Sequence, residues 1–284
     1  MKTFRISLIP CLLFCSVSIL AQNNSAPKGK LFIIGGGDRP PALLKSLMKT
    51  AALDPKDYVV VLPMSSETPD TSYYYFKTDL ETVCANPILN FNFTKEKVNY
   101  KNWLDSLEKA RLIFITGGDQ TRFMNIALNT PVQTAILKAY QNGATIAGTS
   151  AGAAVISKDM ITGNELTDTI YRPTFRKIQH NNIEIKEGLG LLTSVVIDQH
   201  FVARSRYNRL LSAIARFPTY SCIGIDEATA IIVEGKKVTV SGESQVIVLR
   251  KPEGLKIAPT GQIKFKDIQF SIYTDTDVFT IDTP

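Results

Sequence analysis

The sequence predicts an α/β fold whose parallel sheet is covered by helices on both faces, and three observations carry that prediction. Short, almost wholly apolar runs recur along the first part of the chain, helical patterns separate them, and several of the runs end in glycine. A strand buried on both faces has no polar side to alternate with, so continuous apolar runs spaced by helices mean parallel pairing. Leu31–Ile34 is the first run and stops at Gly35-Gly36-Gly37. Pro41–Ala52 follows with helical spacing, placing Leu43, Leu44, Leu47 and Met48 on one face. Tyr58–Leu62 is a second strand, dense in valine. Leu112–Thr116 is another, followed by Gly117-Gly118, and Thr145–Ala147 leads into Gly148. The last stretch differs: Ala230–Val233, Lys237–Val240, Gln245–Leu249 and Phe270–Tyr273 read as short strands with glycine-containing turns. No Pro- or Ser-rich linker precedes them, so they are expected to form an antiparallel β extension of the same domain.

The 284 residues suffice for one large domain, and 44% apolar with 20% charged residues excludes a disordered chain. Lys2 and Arg5 precede an apolar run from Ile6 to Leu20, with Ala21 as a small residue for cleavage. That layout predicts a signal peptide over residues 1–21 and export to the periplasm or beyond, with no stable membrane association once it is removed. Residues 22–28 are then expected to form a flexible leader, 29–250 the main domain and 251–284 the C-terminal β extension. Losing Lys2 and Arg5 leaves a small basic excess, and no basic run of the kind that tracks a nucleic-acid backbone is present. Of the four cysteines, Cys84 and Cys222 remain in the mature chain. Neither has the local company of a reactive thiolate, so both are expected in the core, with their pairing left open.

The chemistry centres on Gly148-Thr149-Ser150-Ala151-Gly152, between an apolar strand and an expected helix. This is the nucleophile-elbow pattern, a serine on a strained strand-to-helix turn. Glycines two before and two after the serine remove side chains that would collide as the backbone doubles back. The serine oxygen then stands near free helical N–H groups that favour a developing oxyanion. The chain has two histidines. His180 lies in a polar run, whereas His200 follows the apolar strand Val195–Ile197, at the strand end where α/β sheets build their sites. His200 is therefore assigned as base. The orienting carboxylate is Glu227 or, as a rival, Glu165, with Asp226 expected to point elsewhere. The order Ser, His, Glu is not that of α/β-hydrolases.

Gly117-Gly118-Asp119-Gln120 ends another strand, and the N–H groups of Gly118 and Ala151 are expected to form an oxyanion hole. Arg204, Arg206 and Arg209 follow His200, and arginine clusters recognise carboxylates bidentately. No metal or cofactor is implied, because the histidines have no ligand-like spacing. A dinucleotide fingerprint at Gly35–Gly37 is disfavoured by Pro40, which stands where the third glycine belongs.

Together, Gly117–Gln120, Gly148–Ala153, Asp198–Leu210 and Gly224–Ala230 resemble, in order, the cyanophycinase branch of peptidase family S51. The resemblance implies a three-layer α/β/α sandwich akin to class I glutamine amidotransferases, a Ser150–His200–Glu227 triad and a homodimer. It implies that Gln120, Asp198, Gln199, Arg204, Arg206 and Arg209 line the pocket, with Asp198 receiving a guanidinium. The implied substrate is cyanophycin, a polyaspartate bearing arginine on each side chain, cut to β-Asp-Arg dipeptides. Two alternatives remain: an aspartyl dipeptidase of the same family, acting on short Asp-X or isoaspartyl peptides, and a non-catalytic peptide- or sugar-binding protein of the same fold. The segment 162–187, long for the family, is expected to border the cleft.

Overall fold

The computed structural model describes residues 26–167 and 178–282. The expected signal peptide, most of the leader and the middle of the segment 162–187 lie outside the described residues. The elements run β1 (Lys30–Ile34), α1 (Pro41–Ala51), β2 (Val59–Leu62), α2 (Pro69–Glu81), β3 (Ile88–Asn90), α3 (Lys101–Lys109), β4 (Leu112–Ile115), α4 (Gln120–Ala127), α5 (Pro131–Gln141) and β5 (Thr145–Thr149). There follow α6 (Ala151–Ala154), β6 (Asp159–Glu165), β7 (Ile183–Glu187), β8 (Val195–Gln199), α7 (Tyr207–Arg216) and β9 (Ser221–Ile225). The chain closes with β10 (Thr229–Glu234), β11 (Lys237–Gly242), β12 (Val246–Glu253), β13 (Lys256–Ile257), β14 (Ile263–Lys264), β15 (Asp267–Tyr273) and β16 (Val278–Thr280).

Period-two geometry makes the parallel strands serve two cores at once. Leu31 and Ile33 of β1 pack with residues of α4 and α5 on one face, while Phe32 and Ile34 pack with α1 and α2 on the other. The neighbours repeat the pattern: Val60, Leu62, Ile113 and Ile115 go one way, and Val59, Val61, Leu112 and Phe114 the other. The result is an α/β architecture with one large, mostly parallel sheet, ordered β16-β11-β10-β1-β5-β4-β2-β3. The five strands from β1 to β3 in that order are parallel, and β10, β11 and β16 add on antiparallel beside β1.

A second sheet, β15-β12-β9-β8, packs with α7 around its own core, which includes Phe201, Leu210, Ile214, Cys222 and Ile247. In it β8 and β9 are parallel, while β12 and β15 are antiparallel additions. The late strands therefore complete both sheets, and β12 runs across residue 250 into the stretch read as an extension. Cys84 packs beneath α1 and α2 and Cys222 lies in the core of the second sheet; both are free thiols. Burial raises the Cys222 thiol far above its ordinary value, which makes it unreactive. No helix among the described residues is long and apolar enough to cross a membrane.

Candidate active site

The site forms where the two sheets meet, and the glycine run after β1 makes the seam. Gly35 N–H donates to Thr229 O, and its own carbonyl accepts from His200 N–H at 2.8 Å. The Gly36 carbonyl accepts from Ala228 N–H at 2.9 Å. One loop thus pins the chain just after β8 and just after β9 to the end of β1. A side chain there would be disastrous: a Cβ on Gly36 would lie 2.3 Å from His200 Cε1, and one on Gly37 2.7 Å from Glu227 Cβ. The run that resembled part of a dinucleotide fingerprint is the bed of the histidine.

Ser150 closes β5 with φ 54° and ψ −113°, a conformation that costs a non-glycine residue on the order of 1–3 kcal/mol. Its N–H donates to Ile34 O, and Ala153 and Ala154 N–H return to its carbonyl. The flanking glycines are needed for the reason expected. A Cβ on Gly148 would sit 2.1 Å from Gly152 O, and one on Gly152 2.2 Å from Ile115 O. His200 also has positive φ, at 50°. Strain at both junctions holds the Ser150 and His200 side chains at the ends of their strands.

Ser150 Oγ and His200 Nε2 are 2.8 Å apart, and His200 Nδ1 and Glu227 Oε1 are 2.6 Å apart. Burial holds the imidazole below the ordinary histidine pKa; the Glu227 hydrogen bond opposes this, and the nearby Arg204 and Arg206 charges add to it. At neutral pH the ring is uncharged, so Nδ1–H donates to Glu227 and Nε2 is free to accept the serine proton. Glu165 is not a competitor: its two oxygens accept from Asn208 and Asn182. Asp226 turns the other way, accepting from Val202 N–H, Ala203 N–H and the Ser244 hydroxyl. His180 is tied through its N–H to Gly261 O, beside the β13–β14 hairpin.

The serine and histidine open onto a cleft of about 260 Å³, whose wall includes Gly36, Gly37, Arg39, Ser72, Tyr75, Thr116 and Gly117. Ala151 begins α6, so its N–H has no carbonyl within the helix to bond. Gly118 has φ +135° and is pressed on Ser65, where a Cβ would meet Ser65 O at 2.2 Å; Asp119 then caps α4 by accepting from Thr121 and Arg122 N–H. The N–H of neither Gly118 nor Ala151 has a backbone acceptor among the described residues.

Several expected pocket residues are placed elsewhere. Asp198 is fully buried, and it does receive guanidinium groups, but those of its own chain: Arg209 donates from Nε and Nη2 and Arg206 from Nη1. Arg209 is 2% exposed and also donates to Thr162 O, so it braces the hairpin β6–β7 rather than facing substrate. Arg206 is buried too and bonds Gln199 O. Gln120 is 5% exposed and donates to Ile161 O. Gln199 is buried at the end of β8. Spacing along the chain could not show this, because a helix that begins after a strand end presents one face to the site and the other to the core. Of the three arginines, only Arg204 is exposed. Conversely, Arg39, Ser72, Tyr75 and Thr116 were not singled out from the sequence. Ser72, Tyr75 and Asp79 fall on one stripe of α2, and that half-polar stripe was the available signal.

No cluster of three His, Cys, Asp or Glu side chains among the described residues is disposed to hold a metal ion. A serine on a strained elbow, hydrogen-bonded to a neutral histidine that a glutamate orients, defines a serine-type peptidase on an α/β scaffold. The chain belongs to peptidase family S51, whose family model matches residues 31–241. It is 32% identical over 222 residues to a cyanophycinase of Trichormus variabilis, covering 76% of this chain and 72% of that one. It is 29% identical over 249 residues to a cyanophycinase of Synechococcus elongatus, covering 84% and 74%. Among solved structures it is similar in fold to a peptidase from an acI-B1 actinobacterium, with a TM-score of 0.64 and 21% identity over 90% of this chain and 98% of that one. A second likeness is to a putative peptidase E of Listeria monocytogenes, with a TM-score of 0.53 and 17% identity over 76% and 99%.

Proposed function

We propose that this peptidase acts after export and hydrolyses cyanophycin to β-Asp-Arg dipeptides through an acyl-enzyme. The observation that carries the reading is the unbroken relay from Glu227 through His200 to Ser150 at the cleft, and the similarity to cyanophycinases supports the substrate. His200 Nε2 takes the Ser150 proton as Oγ attacks the amide carbonyl. The N–H groups of Ala151 and Gly118 receive the oxyanion. The imidazolium, steadied by Glu227, then protonates the leaving amine, and water attacks the ester by the same route in reverse. The mature protein and its Ser150→Ala variant, incubated with cyanophycin, provide the test. Mass spectrometry should find β-Asp-Arg from the wild type, with the rate falling by about 10⁴ to 10⁶ in the variant. Absence of dipeptide from both would remove cyanophycin as substrate.

A second reading, an aspartyl dipeptidase acting on short peptides by the same chemistry, is supported by 25% identity over 165 residues to a peptidase E of Pasteurella multocida. Assaying both substrate sizes separates the two.

A further inference from the structure

One wall of the cleft is built by a helix face that serves the core only in part, through Phe76. Ser72, Tyr75, Phe76 and Asp79 of α2 recur at spacings of three and four, so they form one stripe. A stripe that packed only on a core would be apolar. This one carries a hydroxyl, a phenol whose residue is 62% exposed, and a carboxylate. Ser72, Tyr75 and Phe76 line the cleft, and Asp79 holds Arg39, which lines it as well.

The pairing leaves the arginine half used. Nε and Nη2 of Arg39 both donate to the same oxygen, Asp79 Oδ2, at 3.1 and 2.7 Å. A guanidinium has five N–H donors, so three remain, two of them on Nη1. Nη1 has no acceptor among the described residues and is not among the buried polar atoms lacking a partner, and the side chain keeps 18% of its surface. Its outer edge, Nη1 with Nη2, is therefore an open fork, held in orientation by a carboxylate behind it. A planar fork of this kind matches a carboxylate bidentately. Among the described residues, Arg39 is the one cationic side chain in the wall of the cleft that holds Ser150 and His200.

From this geometry we infer that Arg39, oriented by Asp79, sets the specificity of the site by binding a substrate carboxylate close to the scissile amide. The inference rests on the peptidase reading of Ser150 and deepens it. In a short Asp-X peptide that carboxylate is the aspartyl side chain; in cyanophycin, whose aspartyl side chains are amidated, the free carboxylate of the attached arginine takes its place.

The test compares aspartyl 4-nitroanilide with asparaginyl 4-nitroanilide, an isosteric pair that differs in the carboxylate. Wild type should prefer the aspartyl compound in kcat/KM, and Arg39→Ala should narrow that ratio by about tenfold or more, as expected for a lost charge-assisted hydrogen bond. Arg39→Lys keeps the charge and the Asp79 pairing without the fork, and should restore part of the ratio. A second measurement does not depend on turnover: succinate should protect Ser150 of the wild type from a serine-directed fluorophosphonate, and should fail to protect Arg39→Ala. If Arg39→Ala slows both anilides equally and succinate protection persists, the inference is overturned and Arg39 serves only to fasten α2. If wild type neither cleaves the anilides nor takes the fluorophosphonate, the peptidase reading itself fails.

Discussion

Two arginine–aspartate groups stand near the same serine and have opposite fates. Asp198 at the end of β8 is fully buried, and Arg206 and Arg209 close over it from the segment that starts α7. Asp79 on α2 is partly exposed and holds Arg39 on the rim of the cleft. The residue types are identical, and both groups use charge-assisted hydrogen bonds. What differs is how much donor capacity the surroundings leave. Around Asp198, the carbonyls of Gln199 and Thr162 take further N–H groups and the core excludes water, so the cluster is a brace. Around Asp79, a single oxygen accepts both bonds and the outer fork stays open. An arginine near an active site is a ligand only if the fold leaves one edge unsatisfied and accessible.

Stability measurements can break this contrast. Asp198→Ala leaves two guanidinium groups facing each other in a sealed site, and urea denaturation should show a loss of about 3–5 kcal/mol. A loss below about 1 kcal/mol would mean that the cluster is hydrated, and would return Arg206 and Arg209 to the pocket wall. Asp79→Asn should cost less than about 1 kcal/mol in the same experiment, because its ion pair is screened by solvent. Equal losses in the two variants would erase the distinction.

The smallest expected effect concerns the titration of His200. Burial is the chief cause of its lowered pKa, and the charges of Arg204 and Arg206 lower it further. The acid limb of kcat/KM should therefore fall below the ordinary histidine value of about 6.5. Activity is full above that limb, where the imidazole is neutral, and is lost as pH falls through it. Arg204→Gln removes a positive charge near the ring, makes protonation easier and should move the limb to higher pH. An unmoved limb would show that the exposed Arg204 charge is screened as far as His200 is concerned.

The residues of the Ser150–His200–Glu227 relay were legible in the sequence for a local reason. A nucleophile elbow is specified within five residues, since the glycines at 148 and 152 are the positions where a Cβ would strike backbone at 2.1 and 2.2 Å. The apolar runs likewise fix which segments become buried parallel strands, and a polar residue just past such a run must emerge at the strand end. That placed His200 after β8 and Glu227 after β9. Choosing Glu227 over Glu165 needed either the family resemblance or the structure, because nothing local distinguishes the two carboxylates.

Only the tertiary structure decided what depends on which surface meets which. It turned Arg209 and Gln120 inward to donate to Thr162 O and Ile161 O on β6. It put Cys84 and Cys222 into separate cores. It made Gly35–Gly37 the seam between two sheets, which their spacing alone could not reveal. It also brought Arg39 to Asp79, 40 residues along the chain. Periodicity determines which residues are buried, because burial follows from local geometry and the hydrophobic effect. The partner a buried or half-buried charge finds is set by contacts between distant segments, and the sequence carries no local signal for those.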